Sequence, residues 1–395
     1  MIKKIFVLIL MSLNTLILNA NINSILNQNK TYEIYKADYK EKTFNAVRYI
    51  NNNYSKEQIK AKNIYSTSSI DVYLENGLTV DEKILKEILS QTMKAYELEK
   101  YLYGDIKTKL ILLIMDINGG HTGAKPYMQG YSIFEGNYNE IENENKNIIF
   151  LDYINGWDNV DSVLNTIIHE LQHIIHYSNL RESKKTDFDV WVDEALSEAA
   201  VIAYRGYLPE NRLQYYNSDS MYLITKGDYF VNWSSGYTVH KYATVSLFMY
   251  WLAIHSKNGF EIYKDIANAP EEYKHTYKAI LYAANKNIKQ FKDWSELYAT
   301  WLEANYRNET SGLYGYKGII NTKPKVITAS ANFPMSPGSA IYVQGDFFSN
   351  DKLLRYVELG NNVYVVYNPD VNAKGKDRYL ILNSYYWYIL KIYVL

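Results

Sequence analysis

Residues 165–176 read Asn165-Thr166-Ile167-Ile168-His169-Glu170-Leu171-Gln172-His173-Ile174-Ile175-His176. On a helix, positions i and i+4 lie one above the other on one face. His169 and His173 therefore offer two imidazoles to a single ion. Glu170 completes the H-E-x-x-H pattern, in which two histidines bind zinc and the glutamate acts as general base on the zinc-bound water. At about 100° per residue, His173 and His176 fall close to His169. Val160, Val163, Leu164, Ile167, Ile168, Leu171, Ile174 and Ile175 lie around the opposite side. The pattern predicts a helix starting near Asp158 or Asn159, with a core stripe on one face and histidines on the other.

A zinc site of this kind needs a third protein ligand and an open position for water. Position 179, six residues after His173, is Asn, which disfavours a third histidine there. His176 follows His173 by three, and a straight helix does not easily point three consecutive turns at one ion, so a packing role suits it better. Glu194 stands in Trp191-Val192-Asp193-Glu194-Ala195, at a spacing that suits a helix–loop–helix. A second helix is expected over Val190 to Tyr204, with Ala195, Ala199 and Ala200 allowing close approach. Glu198, one turn after Glu194, is the candidate to accept the free ring N–H of a zinc histidine. Tyr242, Tyr237 and His240 are candidates, in that order, to donate to an oxyanion.

Around these helices the period changes along the chain. Ile70 to Leu74 reads as a strand, Val80 to Tyr103 as a helix stopped by Gly104, and Lys109 to Asp116 as a strand buried on both faces. Gly130 to Phe134 and Asn147 to Tyr153 read as further strands. Met221 to Gly236 reads as a loop. Helices follow over Tyr237 to His255, Phe260 to Ala267, Glu271 to Ala284 and Ile288 to Tyr306. Gly, Pro and Ser gather between Gly312 and Gly338, and strands follow to Leu395. The expected organisation is a signal peptide over 1–20, a polar arm or pro-segment over 21–66, a catalytic domain over 67–315 and a small β-domain over 335–395.

Composition bounds the function. The chain has 395 residues, a net charge of −1 and no basic patch of the kind nucleic-acid binding needs. The 41 tyrosines accompany an Asn-, Lys- and Ile-rich composition, as expected of genome bias. With no cysteine, disulfides, thiol catalysis and a lipidated cysteine anchor are excluded. Met1-Ile2-Lys3-Lys4, the apolar run to Leu18, and Leu18-Asn19-Ala20 read as an export signal. The expected location is outside the cytoplasm or in the envelope of a bacterium. No later segment is long and apolar enough to span a membrane.

The chain resembles the gluzincin metallopeptidases, and among them the hyicolysin family of secreted bacterial zinc peptidases. The resemblance covers roughly residues 70 to 310. It rests on Leu110 to Asp116 with the Gly pair that follows, on Gly130-Tyr131, on Asn147 to Asp152, on His169 to Ile175, on Trp191 to Glu198 and on Tyr242 to Phe248. It implies an α+β, thermolysin-like fold, with a mixed sheet packed on the H-E-x-x-H helix and a mainly helical second half. It implies one zinc ion held by His169, His173 and Glu194, with Glu170 catalytic, and it favours Tyr242 over Tyr237. It also implies a protein or peptide substrate bound as an added strand, for which Gly130 and Tyr131 mark the candidate edge. Ala195 stands where related proteins often have Gly, a mild change that removes no ligand. A secreted zinc endopeptidase is the leading expectation. A zinc hydrolase of a non-peptide amide or ester, or a non-catalytic adhesion protein on a peptidase scaffold, are the alternatives. Intact His169, Glu170, His173 and Glu194 weigh against the last.

Overall fold

The computed structural model describes residues 20–28, 30–51, 53–120, 128–132, 147–154, 157, 159–183, 189–233, 238–328, 331–345, 347–348, 352–372 and 378–382. The expected signal peptide up to Asn19, Tyr237, and the strand continuations at Ile133-Phe134 and beyond Leu382 lie outside the described residues. Two compact units divide the chain, Ala20–Thr186 and Asp187–Leu395. The division falls between the two helices that carry the candidate ligands, not in the Gly- and Pro-rich stretch 312–338.

The first unit contains α1 (Ala20–Leu26), β1 (Tyr35–Lys36), β2 (Glu41–Ile50), β3 (Asn53–Ser66), β4 (Ile70–Glu75), α2 (Glu82–Tyr103), β5 (Leu110–Met115), β6 (Gly130–Ser132), β7 (Ile148–Asp152) and α3 (Val160–Ser183). Its strands form one mixed sheet in the order β1-β3-β4-β5-β7-β6, with β2 paired to β3. The β4–β5 and β5–β7 pairs are parallel, whereas β6 runs antiparallel to β7. Every residue of β5 and β7 is buried, as their unbroken apolar letters require. Residues 41–66, within the stretch expected as an arm or pro-segment, form a long antiparallel hairpin. Alternate positions Phe44, Ala46, Ile59 and Ala61 are buried in the sheet core beside Ile111, Leu113 and Phe150. The intervening lysines, asparagines and glutamates hide that period of two in the sequence.

α2 begins where the Asp81 carboxylate accepts the Lys83 and Ile84 amides, and it ends at Gly104, whose φ of 110° suits glycine. α2 packs along α3. The apolar stripe of α3, from Val163 to Ile175, is buried as its spacing predicts.

The second unit contains α4 (Val190–Arg205), α5 (Glu210–Ser218), α6 (Val239–His255), α7 (Ile262–Ala267), α8 (Tyr277–Asn287) and α9 (Trp294–Arg307). After them come β8 (Val326–Ile327), β9 (Ala331–Met335), β10 (Ala340–Gln344), β11 (Phe347–Phe348), β12 (Arg355–Gly360), β13 (Val363–Tyr367) and β14 (Arg378–Leu382). The strands form a four-stranded sheet, β12-β13-β10-β8, and a three-stranded one, β11-β14-β9. Both α4 and α5 pack on α6. Trp191, Phe230, Phe248, Trp294, Tyr298 and Trp301 form a continuous aromatic core, with ring centroids 5.2–6.1 Å apart along the chain of contacts. The β-tail is tied into this core. The Tyr342 hydroxyl donates to the Leu302 carbonyl at 2.7 Å, and a Cβ at Gly338 would meet Val231 at 2.3 Å. That close packing places the tail in the same compact unit as the helices.

Candidate metal centre

In the first unit the site is built on α3. Asn159 accepts the Ser162 amide at the start of the helix, and burial of the apolar stripe then sets its rotation. His169 Nε2 and His173 Nε2 converge to 3.1 Å, with the rings nearly perpendicular. Both rings thus turn the same nitrogen toward one point, as two ligands of one ion must. His173 is buried, and so is His176, which stacks on Tyr177. The histidine face of α3 is therefore interior as well, because α2 lies alongside this helix.

Glu170, between the two histidines in sequence, is half-buried, and its Oε2 accepts the Ser132 hydroxyl at 2.7 Å. Ser132 ends β6, which has β7 as its one neighbour among the described strands. Gly130 allows β6 to lie close to α3. A Cβ there would stand 2.6 Å from Thr166 Cγ2 and 2.9 Å from the Phe150 carbonyl oxygen. The side chain of Tyr131 is committed to the sheet core. Its ring stacks on Phe150 at 4.5 Å, and its hydroxyl donates to the Val47 carbonyl and accepts the Val47 amide. Its role as a candidate substrate contact is thereby confined to its backbone.

Sequence reading missed Glu99. This α2 residue is fully buried, and neither carboxylate oxygen has a hydrogen-bond partner. Burial pushes its carboxyl well above the ordinary range, against the opposing influence of His173. The signal was present: Thr92, Ala95, Glu99 and Leu102 continue the buried stripe at helical spacing.

In the second unit the chemistry gathers on α4, α5 and α6. The αL residue Gly206 ends α4 by donating to the Ile202 carbonyl. Glu194 is half-buried on α4 and Glu198, one turn on, is buried. Glu198 is held by Arg212 of α5 through Nε at 2.8 Å and Nη2 at 2.7 Å, and also accepts the Ser246 hydroxyl of α6. Burial works against the charge of Arg212, but Glu198, Tyr242 and Glu194 together outweigh it, so the guanidinium is held above its ordinary range. Arg212 also lies 5.1 Å from the centre of the Tyr242 ring, which packs edge-on against Trp233. His240 is buried, its Nε2 paired to Asp228 at 2.8 Å. Arg212 was not among the residues expected from sequence, and no local pattern marks it. It lies on α5, a polar helix whose start at Pro209 reads as the end of the one before.

His169, His173 and Glu194 make up a set of ligand types that could hold a metal ion. No family model matches the chain. A neutral metalloprotease of Staphylococcus hyicus, ShpI, is 26% identical to it over 287 residues. The chain resembles a zinc metalloprotease of the hyicolysin type. The resemblance read from its motifs is thus borne out. The match covers 68% of this chain and 64% of the relative, so the chain spans less than two thirds of that protein's length. The mixed α+β architecture is compatible with a metalloprotease fold.

Proposed function

We propose that the chain is a secreted, zinc-dependent endopeptidase, with His169, His173 and Glu194 holding one ion and Glu170 as general base. The observation that carries this reading is the convergence of the two Nε2 atoms at 3.1 Å on the helix that also bears Glu170. Two imidazoles and a carboxylate are a donor set that suits zinc. When bound, the ion polarises the scissile carbonyl and acidifies water. Glu170 takes a proton from the attacking water as its oxygen bonds to the carbonyl carbon. The C–N bond then breaks, and Glu170 passes the proton to the leaving nitrogen. Tyr242 donates to the oxyanion. Glu198, fixed by Arg212, orients a ligand histidine. The backbone of Gly130 and Tyr131 pairs with the peptide as an added strand. Similarity to a neutral metalloprotease supports the reaction class, and the basic, apolar N-terminus supports export.

Metal content and chelator-sensitive digestion of a peptide mixture test this reading. The purified chain is expected to hold one zinc and to lose cleavage on chelation. Glu194→Ala is expected to lose most of the metal, whereas His176→Ala keeps it. Cleavage indifferent to chelator, or full zinc in Glu194→Ala, would overturn the reading.

A further inference from the structure

The geometry points to Ser132 as the positioning residue of the general base. Its hydroxyl donates to Glu170 Oε2 at 2.7 Å, the short range of a charge-assisted bond to a carboxylate. Ser132 is buried, so water does not compete freely for that hydroxyl. The carboxylate lies on α3 and its donor on β6, so the bond ties helix to strand. Gly130, two residues before Ser132, is what allows the approach, since a Cβ there would meet both Thr166 of α3 and the Phe150 backbone. Tyr131 fixes the strand from its opposite face through the Val47 backbone. Three consecutive residues thus have three tasks: close approach, anchoring and holding the base.

A carboxylate that must take a proton and deliver it to a different atom gains from one fixed orientation. A glutamate side chain on a helix has three rotatable bonds to restrict. Ser132 restricts them by occupying Oε2, which leaves Oε1 for the proton. Misplacement of a catalytic group by about 1 Å can cost up to about a hundredfold in rate. Partial freedom of Glu170 is therefore expected to cost about tenfold. Ser132 touches neither substrate nor metal in this account, and it acts through Glu170 alone.

This inference rests on the peptidase reading above, and a double-mutant cycle separates the two. Ser132→Ala is expected to keep zinc content and melting temperature, to leave KM within about twofold and to lower kcat about tenfold. In a Glu170→Gln background the same change is expected to cost nothing further. The cycle is also read, without turnover, as affinity for a peptide hydroxamate by titration calorimetry, where the two losses are likewise expected not to add. Additive effects in either readout, or an unchanged kcat together with unchanged hydroxamate affinity in Ser132→Ala, would overturn the inference. If the zinc-loaded wild type cleaves no peptide, the peptidase reading fails, while hydroxamate affinity still decides whether Ser132 and Glu170 act as one unit.

Discussion

Arg212 grips Glu198 through two nitrogens, and the burial of the pair sets what its loss would cost. The side chain of Glu198 is 3% exposed and that of Arg212 23%. Removing one partner of such a pair strands the other in a poorly solvated place. Arg212→Ala is expected to destabilise the chain by about 3 kcal/mol, and Arg212→Lys by less, because lysine keeps the charge but loses the two-pronged grip. Urea unfolding checks this, and a midpoint unchanged in Arg212→Ala would contradict it. Glu99 presents the reverse case. Its carboxyl is buried with no hydrogen-bond partner, so Glu99→Leu removes a desolvation cost at similar volume. The metal-free variant is expected to be more stable by about 1 kcal/mol or more. A fall in stability would show that the carboxyl is satisfied after all.

The contact between β6 and α3 is the clearest example of element packing set by one residue. Gly130→Ala is expected to destabilise by about 1–3 kcal/mol through overpacking and to weaken the Ser132–Glu170 bond by pushing β6 off α3. Thr166→Ser in the same chain removes one clashing methyl and is expected to restore part of that loss. Equal stability of Gly130→Ala and wild type in a thermal melt would contradict this. Elements with strong periods were legible in the sequence. β5 and β7 announced themselves as apolar runs, α2 and α4 lie within a few residues of their expected bounds, and α3 starts beside its expected cap. Weaker periods were not. The β2–β3 hairpin hides alternate core positions among lysines and asparagines, and α5 buries Tyr216 almost alone. α8 starts at Tyr277, later than the expected Glu271, because residues 271–275 form turns. At the candidate site, His169, Glu170 and His173 follow from one spacing. Ser132 and Arg212 become visible only once separate elements are brought together, since no local pattern links Ser132 to Glu170 or Arg212 to Glu198.

At the scale of the whole chain, stability and activity respond to different groups. His255, at the end of α6, shares a 2.8 Å hydrogen bond between its Nε2 and the Gly315 carbonyl oxygen. Burial lowers its pKa to about 4 from the ordinary 6.5, although the Gly315 bond opposes the shift. The unfolded chain therefore takes up a proton on His255 between those values while the folded chain does not. The stability it contributes is present above pH 6.5 and is lost as pH falls toward 4. Between pH 7.5 and 4.5 the wild type is expected to lose about 2–3 kcal/mol more than His255→Gln, as followed by chemical unfolding at each pH. Equal losses would contradict that assignment. Metal bound only by the folded chain adds stability in proportion to the logarithm of its free concentration, so chelation is expected to lower the melting temperature of wild type more than that of Glu194→Ala. The central claim, that Glu170 is the base of a zinc peptidase, is tested most directly by peptide cleavage with zinc-loaded Glu170→Gln. At unchanged zinc content, cleavage is expected to fall by at least about a hundredfold from the zinc-loaded wild type; an unchanged rate would contradict the claim.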